Sequence, residues 1–209
     1  MQRKTKTTFQ ALIRAARVCR RCPNADGHPI YSEANGPIRS KVIFVAEAPG
    51  RLGAARTGVP LQGDATGRNF ERLLANLGLR RQDVFVTNAV LCNLIEGGCN
   101  RVPSRTEVGN CRYFLGRTIE LIDPQLVVAL GRTAFDALLK LSPEGFAFPQ
   151  DCGKPLSWHG RTLFCTFHPS PRNFNHPVRR AQLLKQLEEL AKTLYNFRYC
   201  SIRQTLPAL

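Results

Sequence analysis

The sequence predicts an α/β fold: a single domain with a central four-stranded, mostly parallel sheet and helices on both faces. Three observations predict it. Apolar runs rich in β-formers recur at 42–48, 83–90, 126–130 and 162–167. They are apolar nearly throughout instead of alternating, which marks strands buried on both faces of a parallel sheet. Between them lie segments with helical periodicity, and strands alternating with helices build such a sheet. At 209 residues the chain is long enough for one domain with a large core.

In chain order, residues 8–18 read as a short helix ending near Cys19. Residues 19–40, rich in Pro, Gly, Asn and charge, read as loop. The first strand, 42–48, is followed by the turn Pro49-Gly50. It delivers the carboxylate of Glu47 to the C-terminal edge of the sheet, where open α/β sheets bind ligands. A Gly-rich connection, 50–67, leads to a helix over 67–78 with Phe70, Leu73, Leu74 and Leu77 on one face. The second strand, 83–90, carries Thr87-Asn88. Residues 91–104 read as a long loop. Ser104 and Glu107 fit a capping box and open a helix that stops before Pro124. A third strand, 126–130, precedes a helix from Gly131 to Leu141. Residues 142–160 read as irregular. The fourth strand, 162–167, runs into His168-Pro169-Ser170-Pro171-Arg172-Asn173, and an amphipathic helix over 177–197 closes the fold. Three strand ends thus carry polar groups: Glu47, Asn88 and His168. Neither a Gly-x-Gly-x-x-Gly turn nor a phosphate-loop Gly-Lys-Ser/Thr is present.

Thirty Lys and Arg against fifteen Asp and Glu leave a net charge of +15. That excess, spread along the chain, fits a folded basic face and a polyanionic partner. No stretch approaches the roughly 20 apolar residues of a membrane span. The basic start Met1-Gln-Arg-Lys-Thr-Lys6 is not followed by the apolar run of a signal peptide. A cytoplasmic protein without a membrane partner is expected.

In a reducing compartment, the eight cysteines point to ligands or buried thiols and not to disulfides. Cys19-x-x-Cys22 fits redox or metal chemistry. Cys92, Cys99 and Cys111 lie far off in sequence and could complete four sulfur ligands, with Cys99 competing against Cys92. A tetrahedral sulfur site holds zinc or an iron–sulfur cluster, and spacing does not separate the two. Cys152, Cys165 and Cys200 read as structural, with Cys165 buried in the fourth strand.

Taken together, these motifs resemble the iron–sulfur uracil-DNA glycosylases, families four and five of that superfamily, from about Cys19 to about Leu194. Ala46-Glu47-Ala48-Pro49-Gly50 resembles the family-four first motif, which has Gly at the place of Ala46. Arg56-Thr57-Gly58 followed by Gly63-Asp64-Ala65-Thr66-Gly67 is similar to family five, with its acidic residue at Asp64. Thr87-Asn88-Ala89-Val90-Leu91-Cys92 is similar to both, and His168-Pro169-Ser170 with Asn173 fits the family-five second motif. The chain departs from both families in carrying both acids, and in placing Leu61 where they usually stack a Phe against the flipped base. Residues 51–60 contain no His, so the covalent trapping of one subgroup is not expected.

The resemblance implies a uracil-DNA glycosylase fold and a DNA-repair enzyme that flips a deaminated base, uracil foremost, out of DNA and hydrolyses its N-glycosidic bond. It implies catalysis by Glu47, Asp64 and His168, and a base pocket of Ala46, Glu47, Ala48, Leu61, Asn88 and His168. Ser170, Arg172 and Asn173 would contact DNA. A [4Fe-4S] cluster, with zinc as the alternative, would be held by Cys19, Cys22, Cys92 and Cys111 in a monomer. Two other readings stay open on the residues alone: a non-catalytic nucleic-acid-binding module with a structural metal on four cysteines, and a hydrolase of free nucleosides.

Overall fold

The computed structural model describes residues 2–203, with side chains over 6–197, so Cys200 lies outside the described side chains. The chain forms α1 (Gln2–Arg17), β1 (Val42–Ala46), α2 (Ala54–Thr57), α3 (Ala65–Asn76) and β2 (Phe85–Asn88). A hairpin of β3 (Ile95–Glu96) and β4 (Cys99–Asn100) comes next, then α4 (Arg105–Ile122), β5 (Leu126–Leu130) and α5 (Arg132–Leu139). β6 (Pro155–Trp158), β7 (Arg161–Thr166), α6 (Pro171–Phe174) and α7 (Pro177–Arg203) complete it.

The main sheet has the order β2-β1-β5-β7-β6. β2, β1, β5 and β7 are parallel, as the apolar runs predict, and β6 is an antiparallel edge strand. The sheet therefore has five strands and not four. β6 alternates exposed and buried residues and begins with Pro, which suits an edge strand but writes no apolar run. His159 and Gly160, both at positive φ, join it to β7 in the two-residue turn that such hairpins favour.

Successive strand residues face opposite layers. Ile43 and Val45 of β1 pack with α1, α4 and α5; Val42, Phe44 and Ala46 pack with α3 and α7. The helix starts follow from their caps. Asp64 accepts from the Gly67 N–H at 2.8 Å at the head of α3. Ser104 and Glu107 close a reciprocal box at the head of α4, as their spacing predicts. The segment 91–104, expected as loop, contains the β3–β4 hairpin. Its turn is Gly97-Gly98, with φ of 55° and 75°, and that dipeptide was the available signal.

β1 is flanked by β2 on one side and β5 on the other. The chain order thus reverses about β1, and a crevice opens at the C-terminal ends of these strands.

Candidate active site

The sheet holds the backbone at Glu47 rigidly. Ala89 N–H donates to the Ala46 carbonyl at 2.8 Å and Val90 N–H to the Glu47 carbonyl at 3.0 Å. The carboxylate is half-buried, and Thr133 Oγ1, in the first turn of α5, donates to its Oε2 at 2.5 Å. Glu47 lines a cavity of about 130 Å³ together with Ala48, Leu61, Asp64, Asn100, Arg101 and His168. Ala48, Leu61, Asp64 and His168, all expected at the site, thus meet Glu47 around one space, whereas Ala46 and Asn88 do not line it. A larger cavity, about 660 Å³, lies against Val42 and Leu126 at the opposite edge of the sheet, away from the strand ends that carry the polar groups.

Asp64 divides its carboxylate. Oδ1 caps α3, while Oδ2 sits so close to Gly53 that a Cβ there would lie 2.5 Å from it. Both Gly53 and the cap hold Asp64 in place.

His168 follows β7. Burial pushes its pKa down to about 4, with the Asp64 charge pulling weakly the other way, so the ring is neutral at physiological pH and carries one N–H donor. Its backbone is fixed from three sides. Asn173 Nδ2 donates to the His168 carbonyl at 2.7 Å, and Asn69 Nδ2, on α3, donates to the Pro169 carbonyl at 3.0 Å. Gly131 lies so near that a Cβ would stand 3.2 Å from His168 Cβ, and its φ of 91° suits glycine. Ser170 begins α6, Arg172 is exposed, and Asn173 spends its amide on the loop itself.

Leu61 is 8% exposed and adopts φ of 51°, a region costly for a branched side chain without a fixing contact. The contact is Arg81, whose Nη2 donates to the Leu61 carbonyl at 2.8 Å and whose guanidinium lies 5.1 Å over the Phe70 ring.

Asn88 ends β2 in register with Ala46. It is 2% exposed, and its Nδ2 is buried without a hydrogen-bond partner. Such an orphan costs about 1–3 kcal/mol, a cost that an acceptor reaching it would relieve. Asn88→Asp would replace that donor with an acceptor.

The hairpin reaches the same cavity. Asn100 Oδ1 accepts from Arg51 N–H at 2.9 Å, and Asn93 Nδ2 donates to the Pro49 carbonyl at 2.6 Å. Arg101 makes a two-pronged pair with Glu107 at 2.8 and 2.6 Å. The Arg101 bonds hold the buried Glu107 carboxyl down at about 2. Thr133, Asn69, Gly131, Asn100 and Arg101 were not singled out from sequence. Their roles depend on contacts across many residues, and only the Gly-Gly turn offered a local signal.

A second cavity, about 280 Å³, is lined by Cys19, Cys22, Cys92 and Cys111. Cys99 stands exposed on β4 and does not line this cavity. Burial, reinforced by the neighbouring thiols, pushes Cys92 up to about 12. Burial likewise pushes Cys111 up to about 11, against a hydrogen bond from the Leu91 backbone. Asn110 Nδ2 donates to Cys22 Sγ at 3.5 Å. Four cysteines lining one cavity, with N–H donors beside them, suit a cationic group that draws the sulfurs as thiolates. Among the described residues, no group of three or more His, Cys, Asp or Glu is arranged to hold a metal ion.

Residues 33–192 match the family model described as the uracil DNA glycosylase superfamily. A type-4 uracil-DNA glycosylase of Thermotoga maritima is 33% identical over 168 residues, 79% of this chain and 84% of the relative. A type-4 uracil-DNA glycosylase of Pyrobaculum aerophilum is 34% identical over 185 residues, 86% of this chain and 91% of the relative. A type-5 uracil-DNA glycosylase of the same organism is 35% identical over 154 residues, 67% of this chain and 66% of the relative.

Proposed function

The chain belongs to the uracil DNA glycosylase superfamily, and from that premise we propose that Glu47, Asn88 and His168 excise uracil from DNA. It is a DNA-repair enzyme, a uracil-DNA glycosylase that hydrolyses the N-glycosidic bond. The observation that carries the site reading is the buried, unpartnered Nδ2 of Asn88 on the strand beside Glu47.

A base must leave the duplex to be reached. Asn88 donates from Nδ2 to uracil O4 and accepts N3–H at Oδ1, a pattern that cytosine mismatches at both points. Ala48 and Leu61 supply apolar surface around the base, while Ala46 is buried in β1. Leu61 gives up the aromatic stacking worth about 1–3 kcal/mol per base. As the bond breaks, negative charge gathers on the base carbonyl, and the neutral His168 N–H donates to it. Glu47, held by Thr133, faces the developing sugar cation and orients the attacking water. Asp64 is the secondary acid. Ser170, Arg172 and the Asn173 loop meet the phosphates beside the flipped nucleotide, within the basic excess of the chain. The reading is of one domain acting as a monomer in the cytoplasm. No helix among the described residues is long and apolar enough to cross a membrane.

Cys19, Cys22, Cys92 and Cys111 hold a [4Fe-4S] cluster on this reading. The support is that the four cysteines line one cavity; a zinc would need every sulfur at about 2.3 Å from one point. When bound, the cluster supplies a four-point tie between the N-terminal loop, the end of β2 and α4. Protein purified without oxygen is expected to be brown with broad visible absorption, and Cys111→Ser to lose both iron and colour. Colourless protein with one zinc per chain would replace the cluster by zinc.

The test of the function is excision from oligonucleotides bearing uracil, hypoxanthine, xanthine or thymine, single-stranded, paired and mismatched, with abasic sites read by alkaline cleavage. Cleavage at uracil is expected. Binding without cleavage would make this a nucleic-acid-binding module, and action on free deoxyuridine alone would make it a nucleoside hydrolase.

A further inference from the structure

Three of the described cysteines line neither cavity: Cys99, exposed on β4, and the pair Cys152 and Cys165. Cys165 lies on β7, three positions before His168, and is fully buried. Cys152 ends the segment between α5 and β6 and is half-buried. Their backbones pair across an isolated parallel β-bridge, extended by a hydrogen bond from Gly153 N–H to the Cys165 carbonyl at 2.8 Å. Bridged neighbours stand about 4.7–4.9 Å apart, inside the roughly 4.4–6.8 Å that a disulfide needs between Cα atoms. The two Sγ atoms are 3.0 Å apart. Cys152 is thus the more accessible thiol of the two, and Cys165 a buried partner.

We propose that Cys152 and Cys165 are a reversible covalent modification site, closed to a disulfide by a low-molecular-weight disulfide such as oxidised glutathione. The Cys152 thiolate attacks one glutathione sulfur, forming a mixed disulfide and expelling one glutathione thiolate. The Cys165 sulfur then attacks Cys152 Sγ, the protein disulfide forms, and the second glutathione thiolate leaves. The two leaving thiolates take up the two cysteine protons, so two protein thiols are oxidised and one glutathione disulfide is reduced to two thiols. The hydrogen bond that the Cys165 S–H makes to Cys152 and burial both push the Cys165 thiol strongly upward. This makes it the resolving thiol and not the one first attacked.

The bond would fasten the segment before β6 to the root of the His168 loop. That segment already packs there. Phe148 stacks at 6.0 Å on Phe167, and Gln186 accepts from Thr166 Oγ1 and Phe167 N–H at 3.0 and 2.9 Å. Gln186 also abuts Gly153. The closed form is therefore expected to unfold at a temperature higher by roughly 5 °C or more, and dithiothreitol is expected to return it to the open one.

The experiment treats the full chain anaerobically with excess oxidised glutathione, alkylates the remaining thiols and maps the peptides by mass spectrometry. Wild type is expected to yield a Cys152–Cys165 linked pair. Cys165→Ser is expected to keep glutathione on Cys152, and Cys152→Ser, which changes only a half-exposed position, to leave Cys165 alkylated only after denaturation. Free alkylated Cys152 in the treated wild type would overturn the proposal. A glutathione adduct persisting on Cys152 in wild type, or a link from either residue to another cysteine, would overturn it equally.

Discussion

His168→Leu is expected to slow single-turnover uracil excision by about 10²–10³-fold, the usual loss when one donor to a developing oxyanion is removed. Leu keeps the apolar volume, and the loop backbone is held by Asn173 and Asn69, so the loss would be of the donor and not of the loop. Because burial lowers the ring's pKa to about 4, the donor persists in neutral form across pH 5–8, and the wild-type rate should show no inflection near pH 6.5 from this group. The same shift sets an acid limit on stability. The folded pKa lies below the unfolded value, so the unfolded chain binds the extra proton between them. The contribution is complete above about pH 6.5 and is lost as pH falls through about 4. His168→Leu should remove that part of the acid sensitivity. A variant within threefold of wild type, or a wild-type inflection near pH 6.5 that His168→Leu abolishes, would remove the neutral-donor role.

Glu47→Gln is expected to cost at least the ~10²-fold of a positioned acid or base, and Asp64→Asn distinctly less. The contacts explain the ranking. Glu47 extends from a paired strand and carries a hydrogen bond from Thr133. Asp64 spends one oxygen on the α3 cap. Asn caps helices about as well as Asp, so Asp64→Asn removes charge while keeping α3. Single-turnover rates on both variants, with folding and iron content checked, decide it. The opposite ranking would transfer the role to Asp64. Near wild-type rates in both would leave His168 and the DNA phosphates with most of the work.

What could be read from sequence depended on how local its cause was. The buried parallel strands write themselves as apolar runs, and β5 spans Leu126–Leu130 as expected. Their ends therefore brought Glu47, Asn88 and His168 to one sheet edge. The α4 start was equally legible, because a capping box is complete within four residues. β6 escaped because an edge strand needs only two buried side chains, Leu156 and Trp158. That Cys92 and not Cys99 lines the cysteine cavity was illegible without the hairpin, on which Cys99 stands exposed. Thr133 was illegible because an ordinary helix-start threonine acquires its role only by meeting a carboxylate 86 positions earlier in the chain.

The hairpin segment has a consequence for how the molecule would fail. It begins at Cys92, at one cavity, and ends at Arg101, at the other. Arg101 also reaches back to the Asn24 carbonyl at 3.3 Å, beside Cys22. One wall of the base pocket is therefore suspended between the cysteine cavity and the Glu107 pair, while the opposite wall hangs from the sheet. On the proposed reading of the four cysteines, loss of their cluster would slacken the first wall and leave the second standing. A stripped protein would keep its sheet and Glu47 in place, yet have no enclosed space in which to hold a base.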